Sequence, residues 1–301
     1  MTDSQKKNIL DKYLNGPADE SMLELSVQEL IFLYASVIAK QKEDASNEEW
    51  AQKRQYVFSS VLLRLMRSEE LYVAYHVMTG YPYIDVRGCA WVFTEKEFSK
   101  AAHEHYFKEG VPLTMKTFTG NEAILDEMFE LYRIGVKQFI VDNGQPNVTV
   151  SLKDILSVST ESEAPSEMNP ELMFTVLTSL EVSYASDGKH PALAEADKKI
   201  KELIETSHFL VPVQTDRHLA DGEVMKITGE TPSKIAVVNP LKLEKGFVAA
   251  FTDWREFTKL YSKDEWNAVI MDHAALKDAA SNADGFIINP SGFMYIVKNE
   301  A

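Results

Sequence analysis

Between residues 4 and 69 the apolar positions recur at three- and four-residue steps, the spacing of helices that bury one face. Val27, Leu30, Ile31, Tyr34, Ala35 and Ile38 fall on one such stripe. Trp50, Val57, Val61, Leu62, Leu65 and Met66 fall on a second, entered past Ser46-Asn47, an N-cap signal with Glu49 close behind. The period then changes. Residues 71–78 are rich in Tyr and Val and read as a strand, and 83–93 as another, interrupted near Arg87-Gly88. Helical spacing returns over 94–107, followed by a strand over 111–118. A helix over 121–133 is entered past Thr119 or Asn121 as its cap. A short strand over 138–141, the turn Asp142-Asn143-Gly144 and a returning strand over 147–152 complete this part.

Residues 158–170 are rich in Ser, Glu, Thr and Pro and are expected to be a linker. Helices near 170–184 and 191–206 come next. Strands over 209–214, 247–251, 266–271, 285–288 and 293–297 follow, with helices over 253–261, capped by Thr252, and 273–282, capped by Asp272. An inserted hairpin is expected from 223–228 and 234–238.

Three landmarks recur in order in the two halves. Arg64–Val73 corresponds to Leu203–Val211, Val92-Phe93-Thr94 to Ala250-Phe251-Thr252, and Phe139-Ile140-Val141-Asp142 to Phe286-Ile287-Ile288-Asn289. The repeating unit is therefore a whole domain. Phe209–Val213, Gly246–Trp254 and Asp284–Pro290 carry a resemblance to the SseB N-terminal domain family over roughly 190–300, and residues 45–155 look like a degenerate copy of the same domain. The resemblance implies a fold and no catalytic residue or ligand. The expected class is α/β (α+β). Each of two similar domains has a mixed β-sheet flanked by helices: 1–157 with additional N-terminal helices, and 171–301.

The net charge of −15 and a pI near 5.0 disfavour nucleic acid and anionic membrane as partners, since both repel an acidic chain. The longest apolar run, 30–39, is too short to span a bilayer, and the N-terminal residues do not resemble a signal peptide. With a single cysteine, Cys89, no intrachain disulfide forms, and a cytoplasmic location is expected.

Few residues invite chemistry. His103 and His105 point about 200° apart on a helix and cannot share an ion. Cys89 lies two residues from Arg87, but a buried core thiol is the simpler reading. Asp272-His273, at a strand-to-helix junction, could form an acid–base pair, although an Asp there is first of all an N-cap. Asp142 and Asn289 occupy equivalent places near strand ends, where α/β sheets bind ligands, and turn chemistry accounts for both. No phosphate loop, dinucleotide fingerprint or nucleophile elbow occurs, so neither cofactor nor metal is expected. The sequence favours a non-enzymatic protein-interaction or regulatory module that binds another protein. The alternative is a small-ligand binder or an enzyme with a pocket at strand ends or between the domains.

Overall fold

A computed structural model describes residues 1–156, 168–214 and 234–299. The chain divides into two compact units: Met1–Val77, Pro82–Leu131 and Val136–Val158 form the first, and Met78–Tyr81, Tyr132–Gly135 and Ser159–Ala301 the second. The fold is mixed α+β.

The first unit opens with helix α1 (Asp3–Ile9), continued by a π-helical turn, Leu10–Leu14, and later a 3-10 turn, Glu20–Glu24. Helix α2 (Val27–Glu43) starts in a capping box. Ser26 accepts from the Glu29 amide, and the Glu29 carboxylate accepts from the Ser26 amide. It buries Val27, Leu30 and Ile31 of the stripe the sequence suggests, and Leu33 and Val37 besides. Ala35 is exposed and Tyr34 and Ile38 are half-buried, so in the second half of the helix the stripe turns toward Leu33 and Val37. Helix α3 (Glu48–Met66) is capped by Asn47 and buries Val57, Val61 and Leu65.

Strands β1 (Glu70–His76) and β2 (Cys89–Phe93), helix α4 (Lys96–Lys108), strand β3 (Leu113–Thr119), helix α5 (Asn121–Arg133), and strands β4 (Gln138–Val141) and β5 (Val148–Ser151) follow. The sheet order is β3-β1-β2-β4-β5, with β2 and β4 parallel and the other pairs antiparallel. Cys89, Trp91 and Phe93 point to the face covered by α4, with Tyr72, Ala74 and Leu113.

In the second unit helices α6 (Pro170–Ser186) and α7 (Ala192–Thr206) precede strand β6 (His208–Gln214). Strands β7 (Lys234–Ile235), β8 (Val237–Val238) and β9 (Phe247–Ala250) come next. After them are α8 (Trp254–Thr258), β10 (Asn267–Asp272), α9 (His273–Ala279), β11 (Gly285–Ile288) and β12 (Tyr295–Lys298). β7 pairs with β6 and β8 with β9, while the first arm of the expected hairpin, 223–228, lies outside the described residues. Leu210 and Phe251 exchange both backbone hydrogen bonds at 2.9 Å, which joins β6 to the end of β9. The path across the sheet is therefore β10-β6-β9-β11-β12, with β9 and β11 parallel. α6, α7 and α9 cover one face through Leu172, Val176, Ile200, Ile204 and Leu276. Phe257 of α8 and the half-buried Trp254, Tyr261 and Trp266 pack on Leu210, Ala249 and Phe251 of the other.

Several local expectations change. The cap of α4 is Glu95, which makes no side-chain cap bond, and the cap of α8 is Asp253, which accepts from the Glu256 amide at 3.0 Å. Thr94 and Thr252 each stand one residue earlier, because their hydrogen bonds run across the sheet instead. Asn121 is the first residue of α5, and Ile124 donates back to the Gly120 carbonyl. Of the expected linker 158–170, the part to 167 lies outside the described residues. Asn169 is buried and Pro170 begins α6, where a missing N–H does no harm.

Candidate functional site

Asp142 and Asn289 each follow the last residue of a parallel strand, in the left-handed region at φ 57° and 49°. Both are fully buried. The Asp142 amide donates to the Val92 carbonyl at 2.8 Å and the Asn289 amide to that of Ala250 at 2.9 Å, so each continues the parallel ladder by one bond. Their side chains turn back on the neighbouring strand end. Asp142 accepts from the Thr94 amide and hydroxyl, both at 2.7 Å, and from the Gln28 amide group. Asn289 accepts from the Thr252 amide at 3.0 Å and donates to its hydroxyl at 2.8 Å and to Met173 Sδ at 3.3 Å. Burial pushes the Asp142 carboxyl up, while the donors on Thr94 and Gln28 pull it back down. Glu95 is also raised, by burial first and by Asp142 second.

Asp272 and His273 are not part of this arrangement. Asp272 is exposed and caps α9 through the Ala275 amide at 2.8 Å, and His273 is half-buried with its ring edge against Phe286. Within its sheet β10, which ends at Asp272, is separated from β11, which ends before Asn289, by β6 and β9. Asp142 belongs to the first unit and the other three candidates to the second.

The remaining chemistry-bearing residues are tied into the structure. Cys89 is buried, and burial pushes its thiol up. Arg87 is turned onto Asp85, with Nε at 3.0 Å and Nη2 at 2.8 Å. Burial raises the Asp85 carboxyl, but bonds from the Cys89 amide, Arg87 and Trp91 Nε1 outweigh it and leave the group low. His103 stacks on Phe107 and His105 meets Tyr106 edge-on. Among the described residues, no three His, Cys, Asp or Glu side chains are grouped to hold a metal.

The second unit holds a buried ion cluster. Arg133 Nη1 donates to Asp253 Oδ2 at 2.8 Å and to Glu256 Oε1 at 2.9 Å, and all three residues are at most 3% exposed. Lys259 Nζ lies 2.8 Å from Glu256 Oε1 and 3.2 Å from the Tyr81 hydroxyl. Gly135, at φ 82°, admits no side chain beside this arginine, since a Cβ would strike the Pro170 carbonyl and Phe174. The sequence reading missed the cluster. Its one local signal is Asp253 followed three residues later by Glu256, a spacing shared with helix caps.

One surface keeps backbone groups unspent. Val77 donates to Pro112, the Glu69 carbonyl accepts from Gly120, and the Ala74 carbonyl accepts from Tyr83 on the other side. Odd-numbered residues of β1 thus bond to β3 and even-numbered ones face β2. Through the pairs Val73–Lys116 and Tyr75–Thr114, the inward-bonding residues of β3 are Thr114, Lys116 and Phe118. Met115 and Thr117 point their N–H and C=O groups away from the sheet, and among the described residues no hydrogen bond reaches them. Thr114, Lys116, Thr117 and Thr119 are exposed along this edge.

Residues 191–300 match the family model described as the SseB protein N-terminal domain. This SseB match spans α7 to β12 and therefore includes the Asn289–Thr252 lock. No curated protein matches the chain. Among the described residues, no helix is long and apolar enough to cross a membrane.

Proposed function

We propose that the chain is a non-enzymatic, cytoplasmic protein-interaction module of regulatory type. It consists of two diverged copies of one SseB-like domain, and it takes its partner by strand addition along β3. Three features support the duplication. Each unit runs helix, helix, strand, strand, helix, strand, helix, strand, strand, with β7 and β8 as the insertion in the second. Each sheet carries the same order and the same single parallel contact. Each closes with a left-handed residue bonded to a Thr at the end of the neighbouring strand. Repetition of a nonlocal hydrogen bond at equivalent positions favours common descent over coincidence.

The observation that carries the interaction reading is the outer edge of β3. Seven residues of well-paired strand present two residues' worth of outward backbone donors and acceptors, the template that β-augmentation uses. The polar candidates do not compete with it, because Asp142 and Asn289 are spent on internal bonds and Asp272 on a cap. The net charge of −15 favours a protein partner over nucleic acid.

The test is Thr117→Pro in the full chain. Proline removes an outward N–H and leaves the β1 ladder intact, a placement that edge strands tolerate. Proteins retained from lysate by the wild type are expected to be lost by the variant, and the Met115 and Thr117 amides of the wild type to gain exchange protection in the complex. Retention of the same partners by a folded Thr117→Pro chain removes the proposal.

A further inference from the structure

Residues 142–145 form a type II turn. The Gln145 amide donates to the Asp142 carbonyl at 3.0 Å, and the third residue, Gly144, is left-handed at φ 90°. Asn143-Gly144 is one of two Asn-Gly pairs in the chain, the other being Asn15-Gly16. Such a pair can close a succinimide. The Gly nitrogen bonds to the Asn side-chain carbonyl carbon, its proton leaves with the side-chain nitrogen as ammonia, and water then opens the ring to aspartate or isoaspartate. Gly144 meets the demands of that attack. It is exposed, its amide donates no hydrogen bond among the described residues, and nothing beyond its chain neighbours lies within 4 Å of a Cβ built on it. The turn opposes the attack. Ring closure needs the Gly144 nitrogen eclipsed with Cβ of Asn143, whereas a ψ of about +120° at this position of a type II turn sets that nitrogen over the α-hydrogen. The turn is anchored through Asp142, fixed to the Thr94 amide and hydroxyl and to Gln28. The Asn143 side chain also donates to the Tyr106 hydroxyl at 3.3 Å.

We propose that Asn143 is a deamidation site gated by the Asp142–Thr94 lock. It converts when the lock opens, and the product is an irreversible record of the opening. Isoaspartate adds one atom to the main chain inside the turn, so the Asp142–Gln145 bond no longer closes in place where β4 hands over to β5. Aspartate keeps the chain length but sets a second carboxylate beside the buried Asp142. In the second unit Asn289 is followed by Pro290, whose nitrogen has no proton to lose, so the Asn289–Thr252 lock carries no such site.

The full chain is incubated in mildly alkaline buffer, folded or in guanidinium chloride, and mass spectrometry of its proteolytic peptides follows aspartate and isoaspartate at 143 and 15. Asn15 is the internal control. It ends the Leu10–Leu14 turn at ψ −13°, and Lys53 Nζ holds the Gly16 carbonyl at 2.5 Å, so its release involves neither Thr94 nor Asp142. In denaturant both Asn residues are expected to convert at like rates. In the folded wild type Asn143 is expected to convert at least about tenfold more slowly, since local opening must come first. Thr94→Val, which leaves 142–145 unchanged, is expected to speed Asn143 about three- to tenfold, the worth of one hydrogen bond, and to leave Asn15 as it was. Asp142→Gly, which keeps the left-handed backbone without the carboxylate, is expected to speed it at least as much. Conversion of Asn143 in the folded wild type at the denatured rate, or an unchanged rate in both variants, overturns the proposal. Acceleration of both sites together in the variants reports general unfolding and overturns the gating as well.

Discussion

Asp142 and Asn289 perform one task with different chemistry. Asn289 both accepts and donates, so its amide satisfies the Thr252 amide and hydroxyl without charge. Asp142 accepts from three donors, which suits an ionised carboxylate, yet it is fully buried. Burial dominates and raises its folded-state value above the unfolded one. The sign of the linkage follows. The stability this group contributes is fully present below the unfolded carboxyl value of about 4 and is lost as pH rises through the folded value. Asp142→Asn removes that dependence. In urea unfolding between about pH 4 and 8, the wild type is expected to lose stability relative to the variant as pH rises. Each pKa unit of elevation contributes about 1.4 kcal/mol to the change. Parallel stability curves rule the assignment out. A constant offset against the variant is also expected, because Gln28 must turn its amide to meet a new Nδ2 donor and so loses its 3.2 Å bond to the Pro146 carbonyl.

At the scale of elements, α8 is a five-residue helix whose first turn is fixed by charge. Asp253 caps it, and Arg133 binds both Asp253 and Glu256 out of contact with water. Arg133→Met keeps the volume but leaves Asp253 without its cation, while Lys259 still holds Glu256. The variant is expected to lose about 3–5 kcal/mol in denaturant unfolding, the range for breaking a buried pair from one side. A loss below about 1 kcal/mol means the cluster is solvated in solution. The sequence shows α2 and α3 through apolar spacing and their Ser26 and Asn47 caps, because helix signals are local. It also marks the turns at Asp142 and Asn289. It hides why those residues matter, since the Thr94 and Thr252 partners are set by the pairing of nonconsecutive strands. The same limit explains why the cap of α8 is Asp253 and not Thr252, one residue earlier. The open edge of β3 was equally hidden, because periodicity identifies a strand but not its neighbours. Arg133 lies far in sequence from Asp253, and nothing near it signals an ion pair.

For the whole molecule, the excess of 46 acidic over 31 basic side chains makes self-repulsion a general load on the folded state. Surface pairs such as Lys198–Glu202 and Lys201–Asp197 are exposed and offset little of it. Raising sodium chloride from about 20 to 200 mM shortens the Debye length from roughly 20 to 7 Å and is expected to raise the thermal midpoint by a few degrees. A midpoint that falls with salt shows that attractive pairs dominate instead. The single parallel contact in each sheet has a consequence for synthesis on the ribosome. β1, β2 and β3 can pair as they emerge, but β2 cannot meet β4 until α4, β3 and α5 have also been made, and β9 waits likewise for β11. During that interval the strand bearing Ala90 and Val92, destined for complete burial, offers a bare margin to any passing chain. The span in which a nascent copy is most open to misassembly therefore ends when its Asp142 or Asn289 leaves the exit tunnel and the neighbouring Thr is reached.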